Sequence, residues 1–292
     1  MNKKKTHLFD LVNNSLLLLI AVICIFPFLH ILFLSISDGR FVANGDVVFM
    51  PKGVNLESYK FIFQTPALSI ASGLVNSFKY TVMGTVVALF VTFLTAYVLS
   101  RRQFKGRFLI MSIFVFTWVF EAGIIPYYIV LSKLGFVNNP LVMVIPFAIN
   151  TQYLLITKAF LDGIPYELEE AAVVDGANDF QIMWKIYLPI SRPIVATVAM
   201  FYAVYIWNQY MIPLLYLRKD NLHTIQQVIK KLVISTGDTV TLFRTANIDG
   251  YMVTPATLSA ASIFIAMVPI VCVYPFIQKY FKKGILLGSV KG

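Results

Sequence analysis

The sequence predicts an all-α, polytopic membrane protein with six transmembrane helices. Of its 292 residues, 58% are hydrophobic and only 13% are charged, and the mean hydropathy is +0.76. Soluble domains carry about 25% charged residues, so this composition excludes an ordinary soluble fold. The chain also contains six apolar runs, each close to the roughly 20 residues that a helix needs to cross a bilayer.

The apolar runs follow one another with polar connections between them. They cover residues 8–36, 74–99, 108–131, 140–160, 190–215 and 256–280. The first run is too long for a signal peptide and has no small-residue cleavage site, so we expect it to stay as a transmembrane helix. Gly123 and Pro126 are expected to break the third run. Short helices are predicted at 56–63 and 223–234.

The distribution of basic residues predicts the orientation of the chain. An even number of spans puts both termini on one side of the membrane, and the short segments on that side are rich in basic residues. These are Lys3 to Lys5, then Arg101, Arg102, Lys105 and Arg107, then Lys158, Lys185 and Arg192, and in the tail Lys279, Lys282, Lys283 and Lys291. The positive-inside rule therefore places both termini in the cytoplasm. The net charge of +10 consequently does not indicate a nucleic-acid partner.

A polar segment, residues 162–189, separates the fourth run from the fifth. Glu167 begins a predicted helix whose first turn is rich in carboxylates, which favour the positive end of the helix dipole. Gly176 is placed to end this helix, because glycine enters the left-handed conformation freely. Asn178, with Gln181 three residues later, predicts a capping box at the start of a second helix.

Each of these two predicted helices has an apolar face formed by residues three and four positions apart. On the first helix the face comprises Leu168, Ala171 and Ala172, and on the second it comprises Phe180, Met183, Trp184 and Tyr187. We expect both faces to lie on a surface outside the membrane.

The polar segment resembles the cytoplasmic coupling loop, or EAA loop, of ABC importer permeases. That pattern reads Glu-Ala-Ala, three residues, Gly, nine residues, Ile, one residue, Leu-Pro, and this chain meets every spacing. The resemblance implies a type I ABC importer fold in which this loop, here called the coupling segment, contacts an ATPase. It assigns that contact to Glu170, Ala171, Ala172, Asp175, Gly176, Phe180, Trp184, Ile186, Leu188 and Pro189.

The resemblance extends to nearly the whole chain. Residues 51–59 and 283–292 are similar to sugar-importer permeases of the maltose-permease type. Within these, the chain most resembles the LplC/YtcP-like subgroup, which includes permeases for alginate- and pectin-type oligosaccharides. One departure is that the subgroup usually has Gly-Gly before Ile-Pro in the third span, whereas this chain has Glu121-Ala-Gly-Ile-Ile-Pro126. The extra carboxylate means that the substrate of the subgroup does not transfer directly.

The resemblance also implies a domain organisation and a set of partners. It assigns residues 1–70 to a first helix and external loop, 71–282 to the transmembrane domain and 283–292 to a cytoplasmic tail. The implied partners are a second homologous permease chain, two ATPase subunits and an extracytoplasmic sugar-binding protein. ATP and Mg²⁺ would be used by the ATPase, so no cofactor is expected on this chain. No catalytic motif, phosphate-binding loop or metal-ligand spacing is found, so an enzyme is not expected.

Polar and aromatic residues within the spans are candidates for the translocation pathway, because sugars are bound by hydrogen bonds and aromatic faces. They are Glu121, Asn150, Gln152, Tyr205, Trp207, Asn208 and Gln209. The alternatives are an aromatic belt at the outer interface for the fifth-span residues, and hydrogen bonds between helices for the fourth-span amides. A carboxylate inside a span needs a partner or water, so a structural ion pair is the alternative for Glu121.

The sequence thus predicts a permease subunit that moves oligosaccharides, acidic alginate- or pectin-like ones included, from a binding protein across the plasma membrane. An ABC permease for another small solute remains an alternative, because the coupling pattern is shared among importers. A secondary transporter driven by an ion gradient, with an interfacial hairpin in place of the coupling segment, is a second alternative.

Overall fold

The computed structural model describes residues 3–234, 246–248 and 250–288, and it is predominantly helical. The α-helices are α1 Lys3–Ser35, α2 Gly39–Ala43, α3 Glu57–Gln64, α4 Ile70–Ser100, α5 Arg107–Val119, α6 Ile124–Lys133, α7 Thr151–Asp162, α8 Glu167–Val174, α9 Asp179–Ile182, α10 Leu188–Ile190, α11 Arg192–Trp207, α12 Met211–Tyr216, α13 Ile225–Ile234 and α14 Pro255–Gly288. Shorter 3₁₀ turns are Pro66–Leu68, Pro140–Met143, Ile145–Phe147 and Asp220–Leu222, and a π-helical turn is Met183–Tyr187. Two antiparallel strands, β1 Ala246–Ile248 and β2 Tyr251–Val253, form a hairpin.

The chain divides into two compact units. One contains the described residues up to Ala71 together with Val228–Val268, and the other contains Ser72–Gln227 together with the described residues from Pro269. The division of the chain into segments 1–70, 71–282 and 283–292 remains a prediction. Helix α14 continues to Gly288, so helical structure reaches into the predicted tail, whose last four residues lie outside the described part.

The helices provide six candidate membrane spans in the described part of the chain. Three are single helices long and apolar enough to cross a bilayer, namely Phe9–Ser35, Ile70–Ser100 and Pro255–Cys272. The other three are bent pairs, namely Arg107–Val119 with Ile124–Lys133 (117°), Pro140–Phe147 with Thr151–Asp162 (44°) and Asp179–Ile190 with Arg192–Trp207 (80°). Counting each pair as one span gives six, the predicted number. In the last pair, however, Asp179–Ile190 falls almost entirely within the segment predicted to lie outside the membrane, and only Arg192–Trp207 corresponds to the predicted fifth run.

The third span breaks where the sequence predicts, but only one of the two expected residues causes the break. Helix α5 ends at Val119, and Gly123 precedes α6 with a φ of +79°, a left-handed value that glycine adopts without steric cost. Pro126 lies in the first turn of α6, where its missing N–H removes no helical hydrogen bond. Glycine, rather than proline, therefore interrupts this span.

The fourth and fifth spans were predicted as continuous, and both are broken. Residues 140–147 form two 3₁₀ turns, each with a proline in its first positions, and α7 begins only after Asn150. In the fifth span, α11 ends at Trp207 and α12 begins at Met211. An apolar run does not reveal such breaks, because hydropathy measures the tendency to enter a membrane rather than helix continuity.

In the first unit, Arg40 connects the loop after α1 to the hairpin, a contact that the sequence did not predict. The buried Asp38 carboxylate pairs with Arg40 at 2.9 Å, and Arg40 Nη2 donates to the Gly250 carbonyl at 2.6 Å. Burial raises the pKa of Asp38, but hydrogen bonds from the Arg40 side chain and backbone hold it below its ordinary value. The predicted helix at 56–63 is confirmed as α3.

In the second unit, α4 and α11 approach closely. A Cβ added to Gly84 would lie 2.7 Å from the Ile206 side chain, so glycine permits this contact, as small residues do between membrane helices. Further along the same pair of helices, Thr92 Oγ1 and Tyr202 Oη are 2.7 Å apart. The Tyr202 hydroxyl also accepts a hydrogen bond from the Asn150 N–H at 2.9 Å. These hydrogen bonds join the second, fourth and fifth spans.

Candidate functional site

The coupling segment consists of two short helical stretches joined at Gly176, as predicted. Helix α8 ends at Val174, and Gly176 adopts a φ of +78°. Its N–H donates to the Val173 carbonyl at 3.0 Å, and the Ala177 N–H reaches back to the Ala172 carbonyl at 2.9 Å. These bonds satisfy carbonyls that the helix end leaves open. The left-handed glycine thus sets the angle between the two stretches.

The predicted capping box at the second stretch is present. Asn178 Oδ1 accepts from the Gln181 N–H at 2.9 Å, and Gln181 Oε1 accepts from the Asn178 N–H at 3.1 Å. Beyond α9 the chain continues through the π-helical turn Met183–Tyr187 into α10. Turns of this kind occur frequently at functional sites.

A buried ion pair fastens both stretches to the end of the second span. Glu169 is only 3% exposed, and its carboxylate pairs with the Arg101 guanidinium and accepts from the Tyr187 hydroxyl at 3.0 Å. Arg101 also reaches Asp179 at 3.1 Å and lies over the Tyr97 ring at 5.1 Å from its centroid. One arginine after α4 therefore holds α8, α9 and the π-helical turn.

Sequence reasoning missed this network. It read Glu169 only as part of an acidic first turn and Arg101 only as a marker of topology. The available signal was the position of Glu169, three residues before Ala172 and therefore on the same helix face as that small residue. A carboxylate on the packing face of a helix requires a cationic or hydrogen-bonding partner.

The apolar face predicted on the second helix is partly buried and partly exposed. Met183 and Tyr187 are buried, whereas Phe180 and Trp184 are 66% and 39% exposed, with ring centroids 5.9 Å apart. The expectation that all four form one outer face is wrong. The π-helical turn changes the residue spacing that the prediction assumed, and Arg101 draws the Tyr187 side inwards.

The residues assigned to ATPase contact likewise fall into two groups. Glu170, Ala171, Asp175, Gly176, Phe180, Trp184 and Pro189 are exposed, whereas Ala172 is buried and Ile186 and Leu188 are partly buried. Ala172 belongs to a core cluster with Phe93, Leu154 and Ile182. Val174, which the prediction left out, is 87% exposed. Whether the exposed group binds an ATPase stays a prediction at this point.

The structure brings three of the predicted pathway residues together at the span breaks. The side chains of Tyr205 and Gln209 share a hydrogen bond, and Glu121 lies close enough to Tyr205 to interact with it electrostatically. The Tyr205 ring meets Phe147 edge to face at 5.5 Å. Glu121 forms no ion pair with any residue that the structure describes.

The other predicted pathway residues have different surroundings. Asn150 caps α7, its Oδ1 accepting from the N–H groups of Gln152 at 3.0 Å and Tyr153 at 3.2 Å. Trp207 is 6% exposed within the chain, and Asn208 Nδ2 donates to a backbone carbonyl one turn earlier. Across the described ranges, no group of three or more His, Cys, Asp and Glu could hold a metal ion.

Comparison with known proteins identifies the family. Residues 100–287 match the model described as binding-protein-dependent transport system inner membrane component. The chain belongs to this family. Its members are membrane subunits of ABC permeases and not enzymes, and the ATPase is a separate subunit. The predicted type I ABC importer fold and permease function are confirmed. Such systems also comprise a binding protein and a partner permease.

Relatives of the chain match it over its full length. It is 40% identical to the polygalacturonan/rhamnogalacturonan transport system permease protein YtcP of Bacillus subtilis strain 168, over 99% of this chain and 100% of that protein. It is 38% identical to Protein LplC of the same strain, over 100% of this chain and 97% of LplC.

A solved structure agrees with these relatives. The chain is similar to a chain in the crystal structure of a bacterial ABC transporter involved in the import of the acidic polysaccharide alginate. The TM-score is 0.85 and the sequence identity is 30%, over 96% of this chain and 99% of the solved one.

The ion pair generates a prediction about the attachment of the coupling segment. Arg101→Gln leaves the buried Glu169 carboxylate without its cation, which costs about 3–5 kcal/mol for a buried pair. We expect the coupling segment to become sensitive to limited proteolysis in membranes. The double variant Arg101→Gln/Glu169→Gln removes the unpaired charge as well and should regain part of the resistance.

Lys105→Gln is the matched control, because it removes one positive charge from the same turn at an exposed side chain. Equal protease resistance in Arg101→Gln and Lys105→Gln would show that the ion pair does not hold the coupling segment.

Proposed function

We propose that this chain is one of two permease subunits in an importer that moves acidic oligosaccharides into the cytoplasm. Two ATPase subunits and an extracytoplasmic binding protein complete the system, and ATP and Mg²⁺ bind to the ATPase rather than to this chain. The proposal is carried by the full-length similarity to YtcP and to the alginate transporter. Both are named for polysaccharides that contain uronic acids, sugar units that carry carboxylates.

We place both termini and the coupling segment in the cytoplasm. Arg101, Arg102, Lys105 and Arg107 crowd the turn between α4 and α5, the turn to which the coupling segment is fastened. A dense group of basic residues in a short loop favours the cytoplasmic side. The ATPase works on that side, so orientation and coupling are consistent.

The coupling segment transmits ATPase motion to the bundle in this proposal. Its exposed side chains, with Phe180 and Trp184 adjacent, form an aromatic surface that fits a cleft on an ATPase subunit. Its inner side is held by Arg101 and Glu169. A rigid body with one face for the motor and one for the bundle passes displacement on without deforming.

The proposed substrate pathway lies near the breaks in the third, fourth and fifth spans, where Glu121, Phe147, Tyr205 and Gln209 are found. Tyr205 and Phe147 supply aromatic faces, and Gln209 and Glu121 supply hydrogen-bonding groups beside them. Glu121 is exposed and would accept hydrogen bonds from sugar hydroxyls. It would also repel substrate carboxylates near it, so a neutral oligosaccharide is the second candidate substrate, favoured by this residue.

The test is uptake by vesicles that contain this chain, its partner permease, the ATPase and the binding protein. Labelled oligogalacturonide and a neutral oligosaccharide of equal length are offered, with ATP supplied or depleted. The proposal predicts that ATP depletion abolishes uptake, whereas an ionophore has no effect. Uptake that survives ATP depletion and stops with the ionophore would identify an ion-gradient transporter.

The same vesicles test Glu121. Glu121→Gln removes the repulsion of carboxylates, so the ratio of acidic to neutral oligosaccharide uptake should rise, while Glu121→Asp should leave the ratio near that of the wild type. An unchanged ratio in Glu121→Gln, with normal yield of the complex, would place this residue away from the substrate.

Gly176 tests the coupling contact. A Cβ at this position meets no atom within 4 Å, so the cost of a substitution comes from its φ of +78°. A β-branched residue is strongly disfavoured there, by about 1–2 kcal/mol or more. Gly176→Val should leave the chain inserted and bound to its partner permease, but reduce co-purification of the ATPase and abolish uptake.

Gly176→Asn is the control, because asparagine tolerates the left-handed conformation. It should retain most ATPase binding and uptake. If the valine variant binds the ATPase and transports like the wild type, the coupling segment is not the contact.

A further inference from the structure

A polar cleft lies beside the coupling segment, where α4 and α7 end and where α5 and α8 begin. Its volume is about 310 Å³. Three basic side chains line it, Arg102, Arg107 and Lys158, together with the carboxylates Asp162 and Glu169. The family comparison and the proposed function give this cleft no role.

Both carboxylates of the cleft are already neutralised. Glu169 is paired with Arg101, which is not among the residues that line the cleft. Asp162 is paired with Lys158 at 2.6 Å. The two remaining cations of the cleft, Arg102 and Arg107, form no ion pair with any residue in the described part of the chain. The cleft therefore presents two guanidinium groups whose charge is not balanced.

The cleft lies next to the start of α5, the first half of the third candidate span. Arg107 is the first residue of α5, and the next two side chains, Phe108 and Leu109, are 82% and 67% exposed. Exposed apolar side chains of this size at the start of a candidate span are suited to lipid, which would put Arg107 at the height of the lipid headgroups. Arg102 lies over the Tyr166 ring, 5.4 Å from its centroid, which restricts its orientation.

We propose that this cleft binds a phosphate group through Arg102 and Arg107. A guanidinium group donates two parallel hydrogen bonds to phosphate, and basic pockets between membrane helices on the cytoplasmic side bind phosphate-bearing lipid headgroups. The phosphodiester of an anionic lipid in the inner leaflet and free phosphate in the cytoplasm share this chemistry. The inference rests on the cytoplasmic orientation proposed above.

A bound phosphate would connect the membrane surface to the coupling segment. Tyr166 directly precedes α8, and Glu169 lies in its first turn, so both parts of the cleft wall move with the coupling segment. Arg107 moves with α5. Occupation of the cleft would thus hold α8 against the start of the third span, at the height of the headgroups.

The test measures lipid and phosphate binding by the purified importer complex, without transport. Native mass spectrometry counts bound phosphatidylglycerol, with phosphatidylcholine as the zwitterionic comparison, and thermal unfolding is followed with added inorganic phosphate. We expect phosphatidylglycerol to bind preferentially. Arg102→Gln and Arg107→Gln should each weaken this binding about fivefold, and Arg107→Lys should weaken it less, because it keeps the charge but loses the paired donors.

Lys105→Gln is the matched control, since Lys105 lies in the same turn but does not line the cleft, and it should bind like the wild type. Preference for phosphatidylglycerol that the arginine variants lose supports the lipid as the source. Stabilisation by inorganic phosphate that the same variants lose, without a lipid preference, supports free phosphate.

Two results would overturn the proposal: no binding of either probe by the wild type, or equal binding by the wild type and by arginine variants that elute as intact complexes. Neither result depends on the transported substrate, so failure of this proposal can be distinguished from failure of the proposed function.

Discussion

The buried ion pair between Arg101 and Glu169 is the constraint on which the coupling segment depends. A carboxylate that is 3% exposed is costly unless it is paired and hydrogen-bonded, and here Arg101 supplies the charge and Tyr187 the second donor. These three residues come from the end of the second span, from α8 and from the π-helical turn. Separating Arg101 from Glu169 would leave a charge buried without compensation, and separating Tyr187 would remove a hydrogen bond from the buried carboxylate. The coupling segment is therefore joined to the bundle by an interaction that resists small displacements.

This anchoring explains why the coupling pattern combines small and large residues. Ala172 packs inwards against the core formed by α4 and α7, where a larger side chain would push α8 away from Arg101. Gly176 holds the turn between the two stretches, and Phe180 and Trp184 remain outside. One part of the pattern thus serves attachment to the bundle, and another part forms the exposed surface that we propose for a partner. Arg102 and Arg107, which line the proposed phosphate-binding cleft, lie beside it.

How far the sequence determines the structure depends on the range of the interactions. The left-handed Gly176 and the capping box of Asn178 follow from local rules, and both are present. The family follows from a pattern of fixed spacings. The Arg101–Glu169 pair joins residues far apart in the chain, so the local pattern shows that Glu169 needs a partner but not that the partner is Arg101. The breaks in the fourth and fifth spans were missed because apolar composition continues across them. Among the pathway candidates, Glu121, Tyr205 and Gln209 interact with one another.

The most direct test of this account is whether the coupling segment and the end of the second span move as one body. Gln103 Nε2 lies 3.3 Å from the Tyr166 hydroxyl, so cysteines at these two positions can be joined by a short reducible cross-linker. The native Cys24 and Cys272 are replaced by serine first. The account predicts that the cross-linked importer keeps the ATP-driven uptake of the same variant before cross-linking. Uptake that is lost on cross-linking and restored by reduction would show that the coupling segment must move relative to the bundle, and would contradict the account.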